Sequence, residues 1–210
     1  MNNKVLSTSF LWMAIGLLVT FATGFGVYNS ERILYSIFSG GMYWLFVIAE
    51  FVLVLVLSAR VFKMKESTAK IMFLLYSFVS GLTFSSIFVV YEISSIIYVF
   101  LIASAIYALF GFIGYTTKLD LTKIGTYLMM ALFGVVIASI VNIFWINDTF
   151  TLIISIVALI VFLGITAYDV QKISKMPDLP NAGIYGALDL YLDFINVFIR
   201  LLQLFGSRRD

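Results

Sequence analysis

The sequence predicts an all-α membrane protein of seven transmembrane helices, the last of them polar-striped. Two observations carry this. Of 210 residues, 62% are hydrophobic and only 11% are charged, against roughly 45–50% apolar and about 25% charged in soluble domains. A chain of this length has no soluble interior large enough to hide that apolar surface. The apolar residues also gather into runs of the length a bilayer requires, about 20 residues each, separated by short polar connections.

Taken in order, the runs cover residues 5–28, 40–59, 71–91, 93–117, 124–146, 150–168 and 184–205. The first is too long for a signal-peptide core and is closed by no small-x-small site, so it is expected to be a span. Segments three and five carry small residues at helical spacing, Ser77, Gly81 and Ser85 in one and Gly134 with Ala138 in the other. Such ladders let helices approach closely. The longest connection, from Gln171 to Gly183, holds both prolines, Pro177 and Pro180. No soluble domain fits between the spans, and the chain reads as a single transmembrane domain over residues 1–210. No strong internal repeat supports an inverted-repeat transporter.

Orientation follows from the basic residues. Lys4, Arg60, Lys63, Lys65, Lys70, Lys118, Lys123, Lys172 and Lys175 fall on the N-terminal side of a seven-span chain. Arg32, Arg208 and Arg209 fall on the other. The N-terminus is therefore expected in the cytoplasm. The tail arginines fit a re-entrant last segment better, but 22 residues suffice to cross, and full spanning is the expectation.

Histidine and cysteine are both absent. That removes disulfides, thiolate sites and the usual pH switch at neutral pH. No zinc-protease, nucleophile-elbow or phosphate-loop motif occurs, so no enzymatic activity and no bound cofactor are expected. Gly24 and Gly26 lie inside a span and form no nucleotide site. Asn147-Asp148-Thr149 matches a glycosylation sequon, relevant only in a secretory-pathway host. The basic stretch from Arg60 to Lys70 suits anionic lipid headgroups, and nothing points to nucleic acid.

Chemistry concentrates in segment seven. Asp189, Asp193, Asn196, Arg200 and Gln203 are spaced 4, 3, 4 and 3 apart, which sets all five on one helical face. Charges at bilayer depth are costly and mark function by default. Such a stripe lines an ion path or forms an internally satisfied seam. Depth then selects partners. Glu50 of segment two and Asp193 both fall near mid-membrane. Asp169 ends segment six, level with Arg60 at the end of segment two, so an Arg60–Asp169 ion pair is geometrically open. The hairpin leaves Asp189 and Asp193 both open as partners of Asp169. Two carboxylates brought together in a low dielectric do not easily both ionise, so such a pair holds one proton between them. Ionised, it supplies hard oxygen ligands suited to calcium.

Several stretches carry a family resemblance. Ala167-Tyr168-Asp169-Val170-Gln171-Lys172-Ile173 resembles the Y-D-x-Q-x-I signature of the Bax inhibitor-1 family. Leu190 to Asn196, with Phe198, resembles that family's last helix. Gly114 to Thr122, followed by Gly125, is similar to its loop between the fourth and fifth spans, and Ser80-Gly81-Leu82-Thr83 to its third span. The resemblance implies seven helices with the last enclosed by six. It implies a pH-sensitive calcium leak controlled by a hydrogen-bonded aspartate pair, carried over to Asp169 and Asp193, with Arg60 as a latch. It thereby prefers Asp193 to Asp189, and leaves Asp189, Glu50, Arg60, Asn196 and Arg200 in supporting roles. It also implies a bacterial plasma membrane. Calcium and protons are the expected partners beside the lipid bilayer. The alternatives are an interaction protein that modulates a membrane partner such as a protease, and a proton-coupled calcium antiporter.

Overall fold

The computed structural model describes residues 3–145 and 147–209. The chain forms α1 (Asn3–Tyr28), α2 (Glu31–Phe38), α3 (Met42–Arg60), α4 (Glu66–Val90), α5 (Ile93–Thr116), α6 (Thr122–Phe144), α7 (Asp148–Ser174) and α8 (Ala182–Phe205). A single 3₁₀ turn, Val61–Lys63, follows α3. No β-strand occurs among the described residues, only an isolated bridge between Tyr91 and Arg208. Among the described residues, six helices are long and apolar enough to cross a membrane: α1, α3 with its 3₁₀ turn, α4, α5, α6 and α7. The eighth is 24 residues long but carries three charges.

Punctuation follows local chemistry. Gly40 and Gly41 take positive φ values of 65° and 80°, which separates α2 from α3 without a side-chain clash. Asn147 caps α7 by accepting a hydrogen bond from the Phe150 N–H at 2.9 Å. The chain ends α7 before Pro177 and Pro180, which cannot continue a helix.

Some helices run past the apolar windows expected from sequence. Thus α7 continues to Ser174, so Asp169 lies within it instead of at its end. The expected end of segment five, Ile146, lies outside the described residues. The short α2 was not expected. Its eight residues are too few to cross a membrane, and Glu31, Arg32 and Ser36 interrupt its apolar residues. Its buried Ile37 joins Val27 of α1 and Leu82 of α4, with Leu34, Tyr43 and Phe46 packed against them.

The chain divides into two compact units. Among the described residues, unit 2 holds 3–93, 176–191 and 208–209. Its main seam joins α1 to α4 through small residues. A Cβ on Gly81 would meet Thr23 Cβ at 2.5 Å, and one on Gly24 would meet the Gly81 carbonyl at 3.0 Å. Ser77 donates back to the Phe73 carbonyl, and Gly16 lies against both residues. The ladder in α4 therefore works as a close-packing face. The second expected ladder does not: Gly134 is exposed, and nothing lies within 4 Å of where its Cβ would stand. In an apolar helix such a face simply meets lipid.

Contacts also define two ends of unit 2. At one end, Lys4 pairs with Asp178 at 2.8 Å, and Asn181 donates to the carbonyls of Val61 and Met64, each at 2.8 Å. These bonds hold Asn181 at its positive φ of 64° ahead of α8. At the other end, the Arg209 N–H bonds the Val90 carbonyl at 2.9 Å, and its guanidinium bonds the Tyr28 hydroxyl and stacks over that ring. The chain thus enters α8 beside Lys4 and leaves it beside Tyr28.

Unit 1 holds Ser94–Lys175 and Leu192–Ser207. Here α7 is the spine. Gly114 of α5 and Gly125 of α6 close on it at Ala167 and Tyr168, and Gly164 of α7 accommodates Leu128 of α6. Gln171 fixes the α5–α6 loop, donating to the Leu119 carbonyl at 2.8 Å and accepting from the Leu121 N–H at 3.0 Å. In that loop, fully exposed Asp120 is held below the usual carboxylate range, chiefly by the Thr122 hydroxyl and also by its N–H.

Candidate ion and proton site

Within unit 1, Asp169 and Asp193 are both buried, at 8% and 5% exposure. Asp169 lies one residue beyond the Gly114 and Gly125 contacts and accepts from Lys172 Nζ at 3.3 Å. Beside Asp193, Phe194 makes edge contacts with Phe100 and Tyr107, each at 5.4 Å between ring centres. Phe198 meets Phe100 at 6.1 Å. These aromatics fix the rotation of α8 against α5.

The register of α7 and α8 comes from Ser155, whose hydroxyl lies 3.1 Å from Gln203 Oε1. An early α7 residue meeting a late α8 residue makes the two helices antiparallel. Counting along both at 1.5 Å per residue sets Asp193 roughly one to two turns from the level of Asp169, toward Ser155. Helical side chains lean toward the N-terminus of their own helix. On antiparallel helices, Asp169 therefore leans toward the level of Asp193, and Asp193 toward that of Asp169.

The rest of the stripe is partly satisfied by its own helix. Asn196 donates to the Leu192 carbonyl at 2.8 Å, and Arg200 donates to Gln203 Oε1 at 3.0 Å. Gln203 thus joins Arg200 to Ser155. Of the remaining expected residues, Asp189 is half-buried and belongs to unit 2, as does Arg60, which is exposed at the end of α3. Glu50 is also in unit 2, half-buried, with its carboxylate against Ser80 Oγ at 2.5 Å and Thr83 Oγ1 at 2.8 Å. Thr20 was not singled out from sequence, and Gln171 and Tyr191 stood out only as members of family-like stretches, with no contact expected of them. Their roles come from contacts more than 50 residues away, for which sequence carries no local signal.

Acidic groups buried among helices apolar enough to cross a bilayer define an integral membrane protein with ionisable groups in its interior. A family model described as "Inhibitor of apoptosis-promoting Bax1" matches residues 2–210. The chain belongs to the Bax inhibitor-1 family. It is 40% identical over 209 residues to "Inner membrane protein YbhL" of Escherichia coli strain K12, covering 94% of this chain and 89% of that one. A protein of Borreliella burgdorferi is 39% identical over 218 residues, covering 100% of this chain and 94% of that one. One of Rickettsia prowazekii is 32% identical over 206 residues, covering 95% and 87%.

Proposed function

We propose that this protein is a pH-sensitive calcium leak channel, gated by protonation of an Asp169–Asp193 pair. The observation that carries the reading is the burial of both aspartates in one unit, on antiparallel helices that set them about one helical turn apart in level. A proton shared between them closes the pair, and its loss leaves two anionic oxygen ligands in the path of a hard cation. Lys172 is ion-paired with Asp169 and places a cation beside that carboxyl. Family membership supports the same reading.

The proposal extends to topology. Seven spans, with α8 as the central helix, put the N-terminus in the cytoplasm of a bacterium and the C-terminus outside its plasma membrane. Support comes from α8 entering beside Lys4 and leaving beside Tyr28, and from the absence of any exposed residue between 181 and 202. Its 24 residues span about 36 Å, enough for a hydrocarbon core of about 30 Å. Arg60 is the latch that steadies the closed state. Purified protein in liposomes with a trapped calcium dye tests the whole. Calcium entry without a partner, and without coupled proton counterflow, is expected. Counterflow would mean an antiporter, and silence at every pH would mean a protein acting through a membrane partner.

A further inference from the structure

At one end of unit 1, polar groups of α6, α7 and α8 meet among apolar, outward-facing residues. Gln203 Oε1 of α8 accepts from Arg200 Nη1 at 3.0 Å and lies 3.1 Å from Ser155 Oγ of α7. One turn nearer the start of α7, Thr151 Oγ1 accepts from Asn142 Nδ2 of α6 at 2.8 Å. Leu152 and Ile156, next along α7, and Phe205 of α8 are all exposed.

The depth of this cluster follows from α7. Its 27 residues measure about 40 Å, which exceeds a hydrocarbon core of about 30 Å by about 5 Å at each end. Ser155 stands seven residues past Asp148, about 10 Å along the axis, and so about 5 Å inside the hydrocarbon boundary. Helical side chains ordinarily lean toward the N-terminus of their own helix. Arg200 instead reaches Gln203, one turn toward the C-terminus, at the end of α8 that lies beside the start of α7. Its guanidinium is thus stretched from the apolar layer toward the headgroups.

The charge arrives there without a counter-charge. Among the described residues no carboxylate pairs with Arg200, and its Nε is buried with no acceptor. The nearest acidic residue along α8 is Asp193, two turns deeper. An arginine at membrane depth ordinarily has an anionic or carbonyl partner, and its planar fork suits two oxygens of one anion. Asn142 presents the opposite need, since its Oδ1 is buried with no donor. Arg200 is half-buried and Gln203 exposed, so the cluster is open to lipid.

We propose that Arg200, positioned by Gln203, binds the phosphate of an anionic phospholipid at the membrane boundary. The phosphate oxygens accept from Nε and Nη2, and a hydroxyl-bearing headgroup supplies a donor for Asn142 Oδ1. Free phosphate offers the same oxygens, but nothing anchors it at this depth. In the calcium reading, the bound phosphate also cancels the single positive charge of the α8 stripe. The lipid site itself stands without that reading.

Native mass spectrometry of the full chain released from vesicles reads the lipid directly. It involves no calcium flux, so its outcome is separate from that of the channel. From equimolar phosphatidylglycerol and phosphatidylcholine, the parent is expected to retain phosphatidylglycerol, because choline brings its own cation to the phosphate. Arg200→Gln should weaken that retention about tenfold or more, as loss of a charged hydrogen-bonding partner does. Lys123→Gln, which removes an exposed cation at the other end of α6, should leave it unchanged. Added inorganic phosphate should not displace the lipid. Equal retention by the parent and Arg200→Gln overturns the proposal, as does an equal loss in Lys123→Gln. Displacement by inorganic phosphate would assign the site to a free anion and overturn the lipid. Where the glutamine variant does not fold, Arg200→Lys decides. It keeps the charge but loses the fork, and retention equal to the parent's overturns the proposal.

Discussion

Gly114 of α5 stands so close to α7 that a Cβ on it would come within 2.1 Å of the Ala167 carbonyl oxygen. The obstacle is backbone of α7, so it cannot swing aside as a side chain would. Gly114→Ala should therefore push α5 off the helix that carries Asp169. The expected cost is about 1–3 kcal/mol, the usual range for overpacking. Gly134→Ala, with open space around it in a helix interior, should stabilise by about 0.5–1 kcal/mol. Reversible unfolding in mixed micelles measures both. Equal effects would refute the close approach.

Which features the sequence betrayed depends on how local their causes are. Apolar runs set the six long membrane-competent helices, because each reports its own solvent without reference to any other. The Ser77–Gly81–Ser85 ladder was legible for the same reason, as spacing on one helix. Gly134 and Ala138 share that spacing, yet Gly134 is exposed with open space where a Cβ would stand, since which face meets a neighbour is a tertiary fact. The end of α7 was read too early because the apolar run stops at Tyr168, ahead of Asp169. In the fold, Gln171 holds the Leu119–Leu121 loop instead, and the helix continues past it. The aspartates stood out as charges in apolar surroundings, whereas the hydroxyls around Glu50 are common residues given meaning only by what they touch.

Topology gives the second prediction. The nine-to-three division of basic residues and the two opposite ends of unit 2 both call for termini on opposite faces. Single cysteines replacing Asn3 and Ser207 should react with an impermeant thiol reagent from opposite sides of the membrane. Labelling of position 207 only from the cytoplasm would eliminate the seven-span chain.

Arg60 gives the third. If its charge steadies the closed state, Arg60→Ala should raise calcium leak several-fold. Removing a nearby cation favours the protonated carboxyl, so the midpoint of the pH response should rise or stay, and never fall. Unchanged flux with an unchanged midpoint would dispose of the latch.

Asp120 gives a fourth, away from the membrane interior. Its carboxyl is held low by two bonds from Thr122, which stabilise the charged form. Thr122→Val removes the hydroxyl and should move the Asp120 midpoint up, toward the usual carboxylate value. Any stability it lends is present above the usual carboxylate range and fades as pH falls through the lowered midpoint. Carbon-detected NMR of the carboxyl follows it. A midpoint unmoved by Thr122→Val would assign the effect to the Thr122 N–H or to the nearby lysines.

The sharpest prediction concerns the aspartates. Two carboxyls that share a proton titrate as a unit, with midpoints belonging to the pair. Asp193→Asn keeps the side chain's shape and one oxygen but removes the like charge beside Asp169. Asp169 then loses the repulsion that favoured its protonated form, so the pH response of calcium flux should move acidward by about one unit or flatten. Permeation should also fall at every pH, since a neutral amide is a poorer calcium ligand than a carboxylate. Asp189→Asn is the informative comparison, because it removes the same charge one turn away on the same face of α8. Calcium influx into liposomes over a pH series reads both variants. If Asp189→Asn abolishes the pH response while Asp193→Asn leaves it intact, Asp189 is the partner of Asp169.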